Sequence, residues 1–159
     1  MASSTTKKAL IRRYDRETLA GYVNPLSFIR PEGVELLSDQ ANVTVVPFPE
    51  IRSVAFVREF EPGPITERAV FQTRPKTPGL WVSLRFRDGE VLEGILPNNL
   101  LTLESAGFTV IPPDPFGNLQ RLWVPRASLL SVEVLGVVGS PLRKRKPKES
   151  KGQIGLFEE

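Results

Sequence analysis

Two pairs of carboxylates stand at matching places in the chain. Asp15 and Glu17 lie in "IRRYDRETLAG", residues 11–21, and Asp88 and Glu90 lie in "LRFRDGEVLEG", residues 84–94. Carboxylates at this spacing could divide acid–base work, one giving a proton and the other taking it. The same spacing also serves a plainer purpose. An Asp at a tight turn accepts nearby backbone N–H groups, and a Glu across the turn pairs with an arginine such as Arg87. The plainer purpose is the expectation, because the usual companions of catalysis are missing. The 159 residues contain no His and no Cys, which removes the commonest general base, the commonest metal ligand and the thiol nucleophile. Neither a G-x-x-x-x-G-K-[ST] nor a G-x-G-x-x-G phosphate loop occurs. The composition therefore predicts no enzymatic activity, no catalytic residue, no cofactor and no metal. Asp88, Gly89, Gly94, Asp15 and Gly21 are expected to be structural turn residues.

Charge points to the C-terminus. Six of the 21 basic residues and three of the 18 acidic ones lie from Ser140 onward, so that segment carries the whole net charge of +3. Residues 1–139 are electrically balanced, whereas nucleic-acid platforms are usually basic. Arg143, Lys144, Arg145, Lys146 and Lys148 form the run "RKRKPK". Such a run either meets nucleic acid or another anionic surface, or simply keeps a tail soluble. Trp81, Phe86, Phe108, Phe116 and Trp123 either stack bases or fill a core. Arg12 and Arg16 resemble the R-x-x-x-R half of a PilZ-type cyclic-di-GMP motif, and two arginines can clamp phosphates. The second half is not met, since Asn24 and Ser27 stand one residue too far apart.

The elements that must position these groups are written twice. Arg12, Asp15, Glu17, Leu19 and Gly21 recur as Arg85, Asp88, Glu90, Leu92 and Gly94, an offset of 73 from Arg12 to Arg85. "GVELL" at 33–37 answers "GFTVI" at 107–111, and "VVPFPEIRSV" at 45–54 answers "WVPRASLLSV" at 123–132. The offset has grown to 78 from Val54 to Val132, which places an insertion in the loop 112–121. Repetition of this kind predicts two similar lobes, 8–60 and 79–139. Each lobe reads as β. Val82, Leu84 and Phe86 alternate with Ser83, Arg85 and Arg87, the period of a half-buried strand. Asp88-Gly89 predicts a two-residue type I′ hairpin, and Asp15-Arg16 a looser turn, since Arg resists positive φ. Gly21 and Gly94 sit where a side chain would crowd a curved sheet. Between the lobes, 61–78 is Pro- and Gly-rich. It reads as a surface linker or, through "RAVFQT", as an added edge strand. Residues 140–159 are charged, Pro-bearing and nearly without apolar surface, so disorder is expected there.

A chain of about five short strands per lobe, opening with a hydrophobic-x-hydrophobic-x-Asp-Gly hairpin, resembles the Sm-like and SH3-like small β-barrels. It is most similar to an uncharacterised bacterial family that pairs this hairpin with a P-x-D-P segment and an R-hydrophobic-V segment, here Pro112–Pro115 and Arg121–Val124. The resemblance implies an all-β fold of two tandem small barrels packed face to face about a shared core. Sm-type RNA binding is not implied, because Asn98 and Asn99 lack the preceding Asp of that pattern.

"QIGLF", residues 153–157, resembles the Q-L-x-L-F peptide by which bacterial proteins dock on the DNA sliding clamp. The resemblance implies that Gln153 enters a polar pocket, that Leu156 and Phe157 are apolar anchors, and that Ile154 replaces the usual Leu. The alternative is that Leu156 and Phe157 fold back onto the lobes. The expected function is thus a bacterial, non-enzymatic adaptor whose tail docks on the clamp. The alternative is a binder of RNA or cyclic-di-GMP that uses a barrel face and the basic tail. No run of eighteen apolar residues and no signal-like N-terminus occur, so the expected setting is the cytoplasm, without a membrane partner.

Overall fold

The computed structural model describes residues 6–15, 17–60, 69–115 and 117–139. Ten strands follow one another: β1 Lys7–Arg13, β2 Thr18–Val23, β3 Gly33–Leu37, β4 Val43–Pro47, β5 Ile51–Val57, β6 Gly79–Phe86, β7 Val91–Leu96, β8 Gly107–Val110, β9 Leu119–Pro125 and β10 Leu129–Val138. The chain is all-β, its helical content among the described residues being single 3₁₀ turns such as Phe48–Glu50 and Arg126–Ser128. No helix among the described residues is long and apolar enough to cross a membrane.

The repeat seen in the sequence is a repeat of pairing. β1 lies between β2 and β5 as β6 lies between β7 and β10. Ile11 faces Leu19 and Val54; its counterpart Leu84 faces Leu92 and Val132. Ala9 faces Gly21 and Phe56; Val82 faces Gly94 and Val134. Gly33 faces Pro47 across β3–β4, and Gly107 faces Pro125 across β8–β9. Even the thin link Tyr22–Leu37 between β2 and β3 returns, as the bridge Ile95–Ile111. Most of the inserted residues therefore enter between β8 and β9.

The lobes do not meet face to face. They join edge to edge, because β5 of the first pairs antiparallel with β9 of the second, Val54 opposite Trp123 and Ala55 opposite Leu122. The result is one seven-stranded sheet, β4-β3-β2-β1-β5-β9-β8, and one three-stranded sheet, β10-β6-β7. The Ile95–Ile111 bridge links the two, its N–H···O distances 2.9 and 3.0 Å. The strands form a ribbon that begins at β4 and ends at β10, not a closed barrel.

Joining at a strand edge divides the core in two. One cluster holds Ala9, Ile11, Val34, Ile51, Val54 and Phe56 of the first lobe together with Trp123 of the second. The other holds Val82, Leu84, Phe86, Val110, Leu122 and Val124 of the second lobe together with Ala55 and Val57 of the first. Successive strand residues point to opposite faces, so β5 feeds Val54 and Phe56 to one core and Ala55 and Val57 to the other. A lobe of this size buries too little apolar surface by itself, and each completes its core with side chains from its neighbour. Trp123 is fully buried and meets Phe28 edge-on, with ring centres 5.6 Å apart.

The hairpins refine the turn expectation. The amide of Gly89 donates to Phe86 O at 3.0 Å, that of Phe86 to Glu90 O at 2.8 Å, and Gly89 has φ +92°. Positive φ falls on Gly89 and not on Asp88. The loop is thus a turn over Arg87 and Asp88 closed by a left-handed glycine, the three-residue hairpin, and not a type I′ turn. In the first lobe Arg13 N–H bonds Glu17 O at 2.9 Å; Arg16, where the looser turn was expected, lies outside the described residues. A Cβ on Gly21 would come within 2.7 Å of Leu37 O, and one on Gly94 within 3.0 Å of the Val110 Cβ.

The described part of the linker, 69–78, contains no strand. It lies against β7 all the same. The amide of Glu93 donates to Ala69 O at 2.6 Å. The Glu93 carboxylate accepts from Phe71 N–H at 3.1 Å and from the Trp81 indole at 3.0 Å.

Candidate functional site

The carboxylate pairs of the hairpins are structural ties. Glu90 N–H donates to the Asp88 carboxylate at 3.0 Å, and Glu17 N–H to that of Asp15 at 2.9 Å, the same turn closure in both lobes. Asp88 and Glu90 both accept from Arg52 of β5, with Arg52 Nε 2.7 Å from Asp88. Arg52, not Arg87, is thus the partner of Glu90. Its guanidinium also lies 4.2 Å from the centre of the Phe86 ring, while Arg87 lies over Tyr14 at 4.2 Å. The hydrogen bond from Arg52 holds the Asp88 carboxyl below its usual pKa, helped by the Glu90 amide and opposed by partial burial. Tyr14 completes the tie: its hydroxyl hydrogen-bonds the Ser128 hydroxyl, which in turn donates to Arg52 O at 2.9 Å. One end of the β5–β9 seam is therefore a polar lock built from both hairpins.

The other end of the seam is open. A cleft of about 650 Å³ lies there, lined among others by Lys7, Phe28, Phe56, Thr77, Thr109, Gln120 and Arg121. Its size falls in the range of small-molecule sites, roughly 300–1,000 Å³. Among the described residues its lining includes two cations, aromatic surface and neutral hydrogen-bonding groups, and no carboxylate. Phe56 and Arg121 are directly opposite across the seam, so the cleft exists only because the lobes join as they do. That chemistry suits an anion carried on an apolar or planar body.

The aromatic residues do not share one place. Phe86 and Trp123 are buried in the two cores, and Trp81 and Phe108 are half-buried. Phe108 carries the Arg126 guanidinium 5.1 Å above its ring. These aromatics do not form one stacking platform; Phe116 lies outside the described residues. So do the basic run Arg143, Lys144, Arg145, Lys146 and Lys148 and the docking residues Gln153, Ile154, Leu156 and Phe157. One repeated feature escaped the sequence reading. Asn24 accepts from Leu26 N–H at 2.9 Å, and Asn99 accepts from Leu101 N–H at 3.1 Å. Each turn lifts a leucine into solvent, 92% exposed at Leu26 and 95% at Leu101. The repeated Asn-x-Leu after each second strand was the sign of it. Among the described residues no group of His, Cys, Asp and Glu side chains could hold a metal ion.

Fold and seam together define an all-β protein whose two lobes repeat one pairing pattern, with an open cleft at the joint. The chain belongs to the family of unknown function DUF6982, whose model matches residues 5–136 and so spans both lobes and the seam. No curated protein and no solved structure matches it.

Proposed function

We propose that this is a non-enzymatic bacterial adaptor of the cytoplasm, whose C-terminal peptide docks on the DNA sliding clamp. Each lobe is read as a small barrel of the Sm-like or SH3-like class, opened so that the fifth strand of the first and the fourth strand of the second pair with each other. The observation that carries the reading is the pentapeptide Gln153–Phe157, set behind the basic run 143–148. In this reading Gln153 supplies hydrogen bonds, Leu156 and Phe157 supply apolar burial, and the basic run favours the clamp's acidic surface or the DNA inside it. Burying Leu and Phe contributes about 1.5–3 kcal/mol each, less the cost of ordering the segment, so the affinity is on the order of micromolar. Fluorescence anisotropy with a labelled 148–159 peptide and purified clamp tests it. Binding is expected that Leu156→Ala/Phe157→Ala removes. No binding at about 100 μM clamp, or binding indifferent to that change, would overturn the reading.

The seam cleft favours a second reading, a binder of an anionic planar ligand such as cyclic-di-GMP or RNA. Lys7 and Arg121 line the cleft, and no carboxylate does so among the described residues. Titration of the full chain with cyclic-di-GMP or a short single-stranded RNA is expected to show binding that weakens as salt rises and that Arg121→Ala lowers by about tenfold. Binding unchanged by Arg121→Ala and lost with residues 140–159 would assign it to the tail.

A further inference from the structure

Among the described residues, the strands left unpaired at the two ends of the ribbon are the repeat counterparts of the two strands that join inside it. β10 is the second copy of β5, and β4 is the first copy of β9. We propose that the chain binds a second copy of itself head to tail, with β10 of one copy pairing antiparallel with β4 of the next.

The internal seam supplies the register. Val54 opposite Trp123 becomes Val132 opposite Val45, Ala55 opposite Leu122 becomes Glu133 opposite Thr44, and Phe56 opposite Arg121 becomes Val134 opposite Val43. Exposure follows the same correspondence. Trp123 and Phe56, inside the seam, are 0% and 8% exposed, while their counterparts Val45 and Val134 are 41% and 58% exposed. Val43 and Leu135 on the same two strands are also exposed. Long apolar edge strands with unused backbone groups are usually blunted, bulged or covered. Both ends of this ribbon carry valines where the covered copies carry core residues. Glu133 against Thr44 replaces an apolar pair with one in which the hydroxyl donates to the carboxylate. That makes the contact between chains weaker than the seam within a chain, and reversible. Because the joined surfaces differ, the contact is heterologous; repeated, it closes a ring or extends a fibre.

Sedimentation of the full chain tests the proposal. The wild type is expected to grow in mass with concentration between about 1 μM and 1 mM, as mass action requires. Val43→Lys blocks the β4 edge and Val134→Lys blocks the β10 edge, and both positions are exposed, so each variant should keep the wild-type melting temperature. Each alone is expected to be a monomer. Mixed in equal amounts they should form a dimer and nothing larger, because one usable edge of each kind remains. A second arm uses the absence of Cys in the chain. Val43→Cys with Val134→Cys should cross-link between chains on oxidation, while Val43→Cys with Leu130→Cys should not. A wild type that stays monomeric to about 1 mM would overturn the proposal. So would a Val43→Lys variant that still dimerises, since that means like edges pair, or a mixture that remains monomeric. Growth that appears only after removal of residues 140–159 would show that the tail, and not a second copy, covers the edge.

Discussion

β5 and β10 are copies of one strand with opposite surroundings. β5 reads Ser53-Val54-Ala55-Phe56-Val57 and is buried at all five positions, because β1 lies on one side and β9 on the other and each face packs a different core. β10 reads Ser131-Val132-Glu133-Val134-Leu135 and, among the described residues, pairs with β6 alone. The substitution of Ala55 by Glu133 is the chemical trace of that difference: a charge is tolerable where the strand has a free edge and not where it feeds a neighbour's core. β9 and β4 differ in the same sense, Trp123 filling a core where Val45 meets solvent. Repeat counterparts therefore take up different surroundings: at the joint Ala55 and Trp123 feed a core, and at the ends Glu133 and Val45 stand in their places.

The largest test of this contrast is truncation at paired positions. Trp123→Ala and Phe56→Ala each should cost about 3–5 kcal/mol, as large-to-small changes of buried aromatics do. Val45→Ala and Val134→Ala, at the counterpart positions, should stay within about 0.5 kcal/mol in dilute solution, where no second chain covers them. Urea unfolding at about 1 μM measures both. Equal losses at the seam and at the ends would erase the distinction.

The glycines sharpen it. Gly21→Val and Gly94→Val should each destabilise by about 1–3 kcal/mol through overpacking. Gly21→Val should be the worse, because its nearest obstacle is a backbone oxygen at 2.7 Å, whereas Gly94 meets a side chain at 3.0 Å. Thermal melts of the two variants side by side read the order.

A smaller effect concerns the polar lock. Arg52→Ala should cost about 1–2 kcal/mol, mostly from the lost cover of Phe86, since Asp88 and Glu90 keep much of their contact with water. The pH dependence carries a sign. The folded-state pKa of Asp88 lies below its ordinary 3.8, so its contribution is present above that value and is lost as the pH falls through the lowered one. The wild type should therefore lose stability relative to Arg52→Ala below about pH 4. A difference between the two that holds constant from pH 7 to pH 3 would remove Asp88 from the lock.

Much of this architecture was legible in the sequence. Strand periodicity, the Asp and Gly of the hairpins and the growing offset gave two lobes and the site of insertion, because each is local or repeats. The seam was not read, because it pairs strands from different copies that share no motif. Its mark was nonetheless present. "VAFV" at 54–57 is unbroken where "VEVL" at 132–135 alternates, and an unbroken apolar strand is buried on both faces. The closed barrels failed for the same reason, since strands that would close each lobe are spent on the joint or left at the ends. The type I′ expectation assigned the glycine to the turn's centre, and only the backbone angles show it one place later. The cleft could not be read at all: Lys7, Phe56 and Arg121 meet only through the seam.

The central claim is that the two lobes complete each other's cores and so unfold as one. The direct measurement is urea unfolding of Trp81→Phe, followed at the same time by circular dichroism of all strands and by the emission of Trp123, then the sole tryptophan, which belongs to the second lobe and sits in the first core. Superimposable transitions with one midpoint are expected. A fluorescence midpoint displaced from that of the strands would contradict the claim.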